Sequence, residues 1–400
     1  FILFSVVLLG LLLLMIRSTG PSGLRTSLEE SKYKYKVAFW LEEMARTLES
    51  FKLAGSTSLP LRKTDGLLTK YLSARNKHFK VLLLNYGMIL GFKVLIIGSM
   101  LLIGSLLVFD NQLNVGQFVA MEIVVILLLN AVDKLILAAE HAYDILTALE
   151  KIGSLTDMPL ESELGEDIPR KSTENGLSIS AKSLTLQFPD MRYPIIDNVN
   201  LELKAGECIN IVTTDDSFVT HFFRMLTGFY EGYDGSLTFN SLPLQNVRLE
   251  DLRNQTGGYS TLQEIFDGTL LQNITVGGDG ITTQRILEII DAVGLNEFIE
   301  GEKQGLSTML HTGGGNLPES IFRKIILARS VAKHPTFLLL NRPFEGLEMN
   351  EKRKFIQYLR QKMPMATVIL ASSQPESDLS FDKSYVVTAH TLVPLETTSI

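Results

Sequence analysis

The chain has 400 residues and a single cysteine, Cys208. One thiol excludes an intrachain disulfide and fits a reducing compartment. The six histidines, His78, His141, His221, His311, His334 and His390, show no ligand spacing, so a zinc site finds no donor set. There is no nucleophile-elbow motif to support a Ser-His-Asp enzyme. Positive charge is not in excess either: 37 Lys and Arg against 44 Asp and Glu leave a net charge of −7, with no global basic signal for nucleic acid. One absence is local. The strand-like GECINIV runs into VTTDDSFVTHF and then into the helical FRMLTGFY. Strand, short loop, helix is the setting of a phosphate-binding loop, which needs glycines and a lysine. This loop has neither, and it carries the adjacent acids Asp215 and Asp216.

What the chain does have is apolar residues, 46% of the total and concentrated before residue 140. Residues 1–16 are nearly all apolar, slightly short of the roughly 20 that span a bilayer. Because the run opens on Phe1, the natural chain is expected to begin earlier. Residues 81–109 form the clearest span, interrupted by Asn85 and Lys93 and carrying Gly87, Gly91, Gly98 and Gly104; small residues let helices approach closely. Residues 115–138 form the third, with Glu122, Asn130, Asp133 and Lys134. Polar groups at membrane depth point either to function or to protein-facing packing. The 110–114 loop makes the last two spans a hairpin. Residues 17–80 are rich in Lys and Arg, which places them in the cytoplasm. Their helical periodicity breaks at STSLPLRKTD, so two long helices joined by a tip are expected.

After HAYDILTALEKIGSL the composition turns to Pro, Gly, Ser and acids, the mark of a linker. The expected division is 1–155 membrane part, 156–176 linker, 177–400 second domain. In that second domain short apolar strands such as FLLL and VILA alternate with helices, which predicts a parallel-cored α/β fold.

The order of landmarks resembles an ATP-binding cassette (ABC) exporter. YPIIDNVNLELKAGE is similar to the cassette entry, and GTLLQNITVG to the segment after the glutamine loop. TGGGNLPESIFRKIILARSVAKHP is similar to the signature helix, FLLLNRPFEGLE to Walker B and its following loop, and NQLNVGQFVA to the start of the last span in the peptide- and protein-exporting, type I secretion-like subgroup. The resemblance covers essentially the whole chain. It implies an all-α transmembrane bundle contributing the last three of six spans, a coupling helix near residues 56–66, and an α/β P-loop NTPase-like cassette.

The resemblance also assigns positions, and most have changed. In G-x-x-x-x-G-K-[ST] the first glycine falls on Thr213, the second on Phe218 and the lysine on Val219; Thr220 keeps the hydroxyl, while Asp216 and Ser217 lie inside the loop. The Walker B acid becomes Asn341 and the catalytic glutamate Arg342, which cannot accept a proton. LSGGQ reads Leu317-Pro318-Glu319-Ser320-Ile321, and the switch histidine is Ser373. Phe188 falls at the adenine-stacking position, where edge packing is an equal reading. Gln263 is the nearest glutamine-loop candidate, where a solvated loop residue is an equal reading.

The resemblance implies ATP and Mg as cofactors, but these substitutions argue against this chain holding or hydrolysing them. No catalytic residue and no metal ligand is assigned. The expected protein is an integral membrane subunit with its cassette in the cytoplasm, acting as a homodimer or with another ABC exporter half, with a peptide or protein as a possible substrate and no nucleic acid. Two alternatives stay open: a weakly active ATP-binding subunit, and a non-transporting membrane scaffold or regulator.

Overall fold

The computed structural model describes residues 2–169, 176–260, 262–278, 280–311, 317–376 and 379–395. The side chains of residue 128 and of most of 2–19 and 131–144 lie outside this description, and so therefore do the first expected span, Asp133 and the GGG of 313–315. The chain divides into two compact units, 1–160 and 161–400.

The first unit is helical: α1 (Ile2–Arg46), α2 (Leu48–Leu53), α3 (Leu59–Phe109) and α4 (Val115–Thr156). Among the described residues α3 is the one helix long and apolar enough to cross a membrane, and Val115–Leu127 is a shorter apolar stretch at the start of α4. The turn before α4 is closed by a capping box. The Asn114 side chain accepts from the Gln117 backbone N–H, and the Gln117 side chain accepts from that of Asn114; this pairing satisfies two otherwise orphaned donors. The break between α2 and α3 is shorter than the expected STSLPLRKTD. Pro60 sits in the first turn of α3, where its missing N–H costs nothing and its fixed φ suits a helix, so the helix resumes at Leu59. Gly55, at φ +72°, makes the turn. Trp40 fastens this tip. Its Nε1 donates to Thr64 Oγ1 at 3.0 Å, the Lys63 ammonium lies 3.9 Å from its ring centroid, and Phe51 meets it edge-on. Farther along, Thr26 Oγ1 and His78 Nδ1 are 2.8 Å apart, and Arg75 reaches Glu30 at 3.1 Å, so α1 and α3 run paired.

The second unit begins within the expected linker. Arg253 grips Glu161 with two bonds of 2.6 Å, the Ile168 N–H donates to Asp251 at 2.9 Å, and Ile168 is buried. Its strands and helices follow in order: β1 (Ile179–Leu186), β2 (Ile196–Leu203), β3 (Cys208–Val212), α5 (Asp216–Leu226), β4 (Asp234–Phe239), β5 (Leu242–Pro243), α6 (Leu249–Gln255), β6 (Thr256–Tyr259), β7 (Gly268–Thr269), α7 (Leu270–Thr275), α8 (Thr283–Val293), α9 (Asn296–Gly301), β8 (Met309–Leu310), α10 (Glu319–Ala332), β9 (Phe337–Asn341), α11 (Met349–Lys362), β10 (Thr367–Ser372), β11 (Lys383–Thr388) and β12 (Thr391–Pro394).

A six-stranded sheet, β12-β11-β3-β10-β9-β6, is parallel except for its edge strand β12. A four-stranded antiparallel sheet, β2-β1-β4-β5, lies beside it. β9 is buried along its whole length, as a strand covered on both faces should be. Phe337 and Leu339 enter one core with Ile209, Ile211, Phe218 and Phe222 of β3 and α5. Leu338 and Leu340 enter the other with Ile325, Ile326 and Phe355 of α10 and α11. Each such side chain contributes about 1.5–3 kcal/mol on burial, so the alternation along β9 ties the two cores into one unit.

Candidate functional site

The site lies where β3, β9 and β10 end together. The register pairs Ile211 with Ala371 and Ala371 with Asn341, so the loop after β3 and the residues after β9 leave the sheet at the same edge. In an open parallel sheet this carboxyl edge is where ligands bind.

The loop is held by its own side chains. The Thr213 N–H donates to the Ser372 carbonyl at 2.8 Å, and Thr213 Oγ1 accepts from the Asp215 N–H at 3.0 Å. Asp215 is the N-cap of α5, its Oδ1 accepting from the Phe218 N–H at 3.1 Å. A carboxylate at this position is favoured by both the orphan amides and the helix dipole. Asp216 Oδ1 accepts from Asn341 Nδ2 at 2.7 Å. Asn341 is fully buried and its Oδ1 has no hydrogen-bond partner, so this amide is committed through its donor end alone.

Arg342 follows with φ +53°, a left-handed conformation that is uncommon for a long side chain. Its N–H donates to the Ala371 carbonyl at 2.8 Å, and its Nη2 donates to the Thr213 carbonyl at 3.4 Å. Glu345 lies 3.8 Å from its Nε. The guanidinium therefore reaches across to the loop after β3. Phe218 and Val219, at the second glycine and lysine positions, are both fully buried, and Thr220 is buried as well. Phe218 stacks on Phe222 with centroids 5.8 Å apart. The first turn of α5 thus faces the hydrophobic core. Ser217 is exposed on the same turn.

The remaining expected positions are dispersed. Phe188 packs edge-on against His221 and Tyr230, with centroids at 5.5 and 5.6 Å, and His221 Nδ1 lies 2.6 Å from the Tyr230 hydroxyl. Burial, then the neighbouring Arg224 cation, holds His221 below the usual imidazole range. Gln263 sits in the loop after β6; its N–H donates to the Ser260 carbonyl at 3.2 Å, and its Oε1 is buried without a hydrogen bond. Ser373 is exposed just past β10, whereas Ser372 is buried and donates to Asn210 Oδ1 at 2.9 Å.

At α10, Pro318 is the N-cap and Glu319 opens the helix with a carboxylate that takes two bonds from Arg323, at 3.2 and 2.6 Å. Ser320 is exposed, and Leu317 and Ile321 pack against the helical core. Both helix starts that the resemblance assigns to nucleotide therefore carry acidic side chains of this chain.

Sequence reasoning missed the His221–Tyr230 pair beside Phe188. Its signal was the histidine one residue past Thr220. It also missed the Asn341–Asp216 bond. The signal there was an acid lost after FLLL and one present after VTTD.

No protein-family model matches the chain. Over 210 residues it is 29% identical to the glutathione/L-cysteine transport system ATP-binding/permease protein CydC of Haemophilus influenzae, covering 52% of this chain and 36% of that protein. Over 243 residues it is 27% identical to the ATP-dependent lipid A-core flippase of Chromobacterium violaceum, covering 60% and 41%. An uncharacterized ABC transporter ATP-binding protein of Bacillus subtilis, YwjA, is 24% identical over 283 residues, covering 70% and 48%. The chain spans less than half the length of each of these relatives. Among solved structures, a bacterial Atm1-family ABC exporter with ATP bound matches with a TM-score of 0.82 at 17% identity, over 98% of this chain and 68% of that one.

The fold is therefore that of an ABC exporter, a helical membrane region with an α/β nucleotide-binding-type cassette. Of the three relatives one is an ABC transporter protein by name, and the other two are a transport-system protein and a flippase; with the fold they support an ABC exporter half-transporter.

Proposed function

We propose that this chain is a membrane-embedded exporter half whose cassette serves as a structural and coupling module and does not hydrolyse ATP. Residues 1–155 form the membrane part and 177–400 the cassette, with the cassette in the cytoplasm. The reading rests on one observation above all, the bond from Asn341 to Asp216. A Mg-triphosphate at this loop needs a cation for the outer phosphates and acids for the metal. Here the buried acid position is an amide, the acid has moved to the loop where phosphate would dock, and the two satisfy each other at 2.7 Å. Val219, buried in the core, brings no charge. The residues present do not fit the group.

An exporter half acts as a dimer, so the partner is either a second copy or another exporter half, and any ATP chemistry comes from that partner. Of the relatives' names one is a lipid A-core flippase and one a glutathione/L-cysteine transport system, so what carries over is transport across a membrane. A peptide or protein substrate is supported only by the resemblance of NQLNVGQFVA.

One observation favours a second reading, weak and divergent ATP binding: the Arg342 guanidinium reaches the Thr213 carbonyl and could neutralise a phosphate. A single titration of the full chain with Mg-ATP separates the two. The proposal expects no affinity tighter than about 1 mM, roughly −4 kcal/mol, and no turnover. Tighter binding that Arg342→Ala abolishes would establish the second reading and end the first.

A further inference from the structure

A cleft of about 210 Å³ is formed by the start of α8, the turn after α10 and the end of α11, and none of residues 213–220 lines it. All seven side chains that do line it end in a polar group. Their charge is uneven. Arg285 and Lys362 are cations, and Glu288 is the one acid. Glu288 is already engaged: Lys362 Nζ lies 2.8 Å from its Oε2, and Gln284 Nε2 donates to its Oε1 at 3.4 Å. The bond from Lys362 first, with Gln284 and Arg285 after it, holds the Glu288 carboxyl below its usual range. Arg285 has no such partner. It makes no ion pair among the described residues, and its Nε and Nη2 are buried without a hydrogen bond. A guanidinium stays charged at any physiological pH, so one positive charge in the wall of the cleft lacks a counter-ion.

The remaining lining groups are donors held in place. Thr282, the N-cap of α8, accepts the Arg285 N–H on its Oγ1 at 3.3 Å, which leaves its hydroxyl proton to donate. Burial raises the Tyr358 pKa against the opposing Arg285 cation, so the phenol keeps its proton. Tyr358 and Lys362 are one turn apart on α11 and share a face. His334 Nε2 donates to the Lys362 carbonyl at 2.9 Å and fixes the end of α11 beside the turn after α10. The excess of positive charge excludes a cation, and the polar lining offers nothing to a hydrocarbon. A compact oxyanion uses guanidinium, ammonium and hydroxyl donors together. We propose that this cleft binds the phosphate group of a small soluble compound, free phosphate or a monoester, with Arg285 as counter-ion and Lys362, Thr282 and Tyr358 as donors. The assignment does not depend on the silence of the cassette.

The test is hydrogen exchange of the full chain in dodecyl maltoside, which carries no phosphate, without nucleotide. Inorganic phosphate is compared with sodium chloride at equal ionic strength, because salt alone screens surface charge. At about 10 mM phosphate, exchange at α8 and the end of α11 should slow at least about threefold, as a dissociation constant of about 5 mM requires. Arg285→Gln should abolish that slowing. Glu288→Gln removes the one acid and releases Lys362, so it should increase the slowing; a merely structural role for either residue gives no gain. Retained circular dichroism of the variants separates lost binding from lost folding. Glycerol 3-phosphate distinguishes the sources: effective at lower concentration than phosphate it assigns a monoester, at higher concentration free phosphate. Equal slowing by chloride, equal slowing of wild type and Arg285→Gln, or no gain in Glu288→Gln overturns the assignment. Slowing confined to α5 would place phosphate at the loop after β3, and would overturn both this assignment and the silent-cassette reading. No slowing anywhere overturns this assignment alone.

Discussion

Replacing Asn341 by Asp restores the acid that the ABC resemblance places at the end of β9, and the structure predicts that this restoration is damaging. Asn341 is fully buried and donates to Asp216 Oδ1 at 2.7 Å. An Asp there sets a second carboxylate against the first. Two unit charges 4 Å apart repel by about 4 kcal/mol at an effective dielectric of about 20, and a charge-assisted bond of about 1.5–3 kcal/mol is lost as well. Protonation of one of the pair limits the damage, so a cost on the order of 3–5 kcal/mol is expected near neutral pH. The sign with pH follows. A carboxyl forced beside another has its folded pKa raised above its unfolded value near 3.9. Its contribution is then fully present below about pH 4 and is lost as the pH rises through the raised value. Asn341→Asp should therefore approach wild-type stability in acid and fall away toward neutrality.

Asn341→Leu is the control. It also removes the donor to Asp216, but it relieves the partnerless Oδ1 of Asn341, itself a cost of about 1–3 kcal/mol, so the net change should stay within about 1 kcal/mol. Native-state hydrogen exchange across β9 and α5 reads both variants locally in the full chain. An Asn341→Asp variant as protected as wild type at neutral pH would refute the pairing argument. Protection that returns on addition of magnesium would go further, since it would show a loop able to organise a metal.

Two other outcomes are open to measurement. His221 is held below its ordinary pKa by burial and by Arg224, so the folded cassette disfavours its charged form; its contribution is present above about pH 6.5 and is lost as the pH falls below that value. His221→Phe should flatten the stability profile just below pH 6.5, measured by exchange at α5, and an unchanged slope would deny the histidine that role. Gly104→Ala places a methyl group 2.2 Å from the Phe118 ring; it should cost about 1–3 kcal/mol through displacement of that ring, seen as a lower melting temperature of the full chain, whereas Gly98→Ala, which meets nothing within 4 Å, should be neutral.

The parallel core was legible because buried strands announce themselves: FLLL and VILA are continuous apolar runs bounded by polar turns, and they became β9 and β10 with Leu339 opposite Ile369. The tip of the helical unit was only half legible. A proline among serines and threonines reads as a break, yet the first turn of a helix accepts it, and only the backbone decides between the two. Residues 161–168 read as linker because they are polar, but what holds them is a bidentate Arg253–Glu161 pair across 92 positions, and no local pattern encodes such a partner.

The site was legible as a set of substitutions but not as an arrangement. Each feature taken alone, an acid changed to an amide at 341 or an acid standing inside the loop at 216, looks like decay. Placed together they are reciprocal: the negative charge has crossed from the strand end to the loop, and the donor has crossed the other way. Arg342 repeats the pattern. Its cation stands where the resemblance expects a base, and it reaches the carbonyl of Thr213, the residue at the lost first glycine. A loop that had merely lost its ligand would leave orphaned amides and uncompensated acids at a helix start. This one has its N-cap, its acid and its carbonyl each taken by a side chain of the same chain, which is what the proposed silent cassette requires.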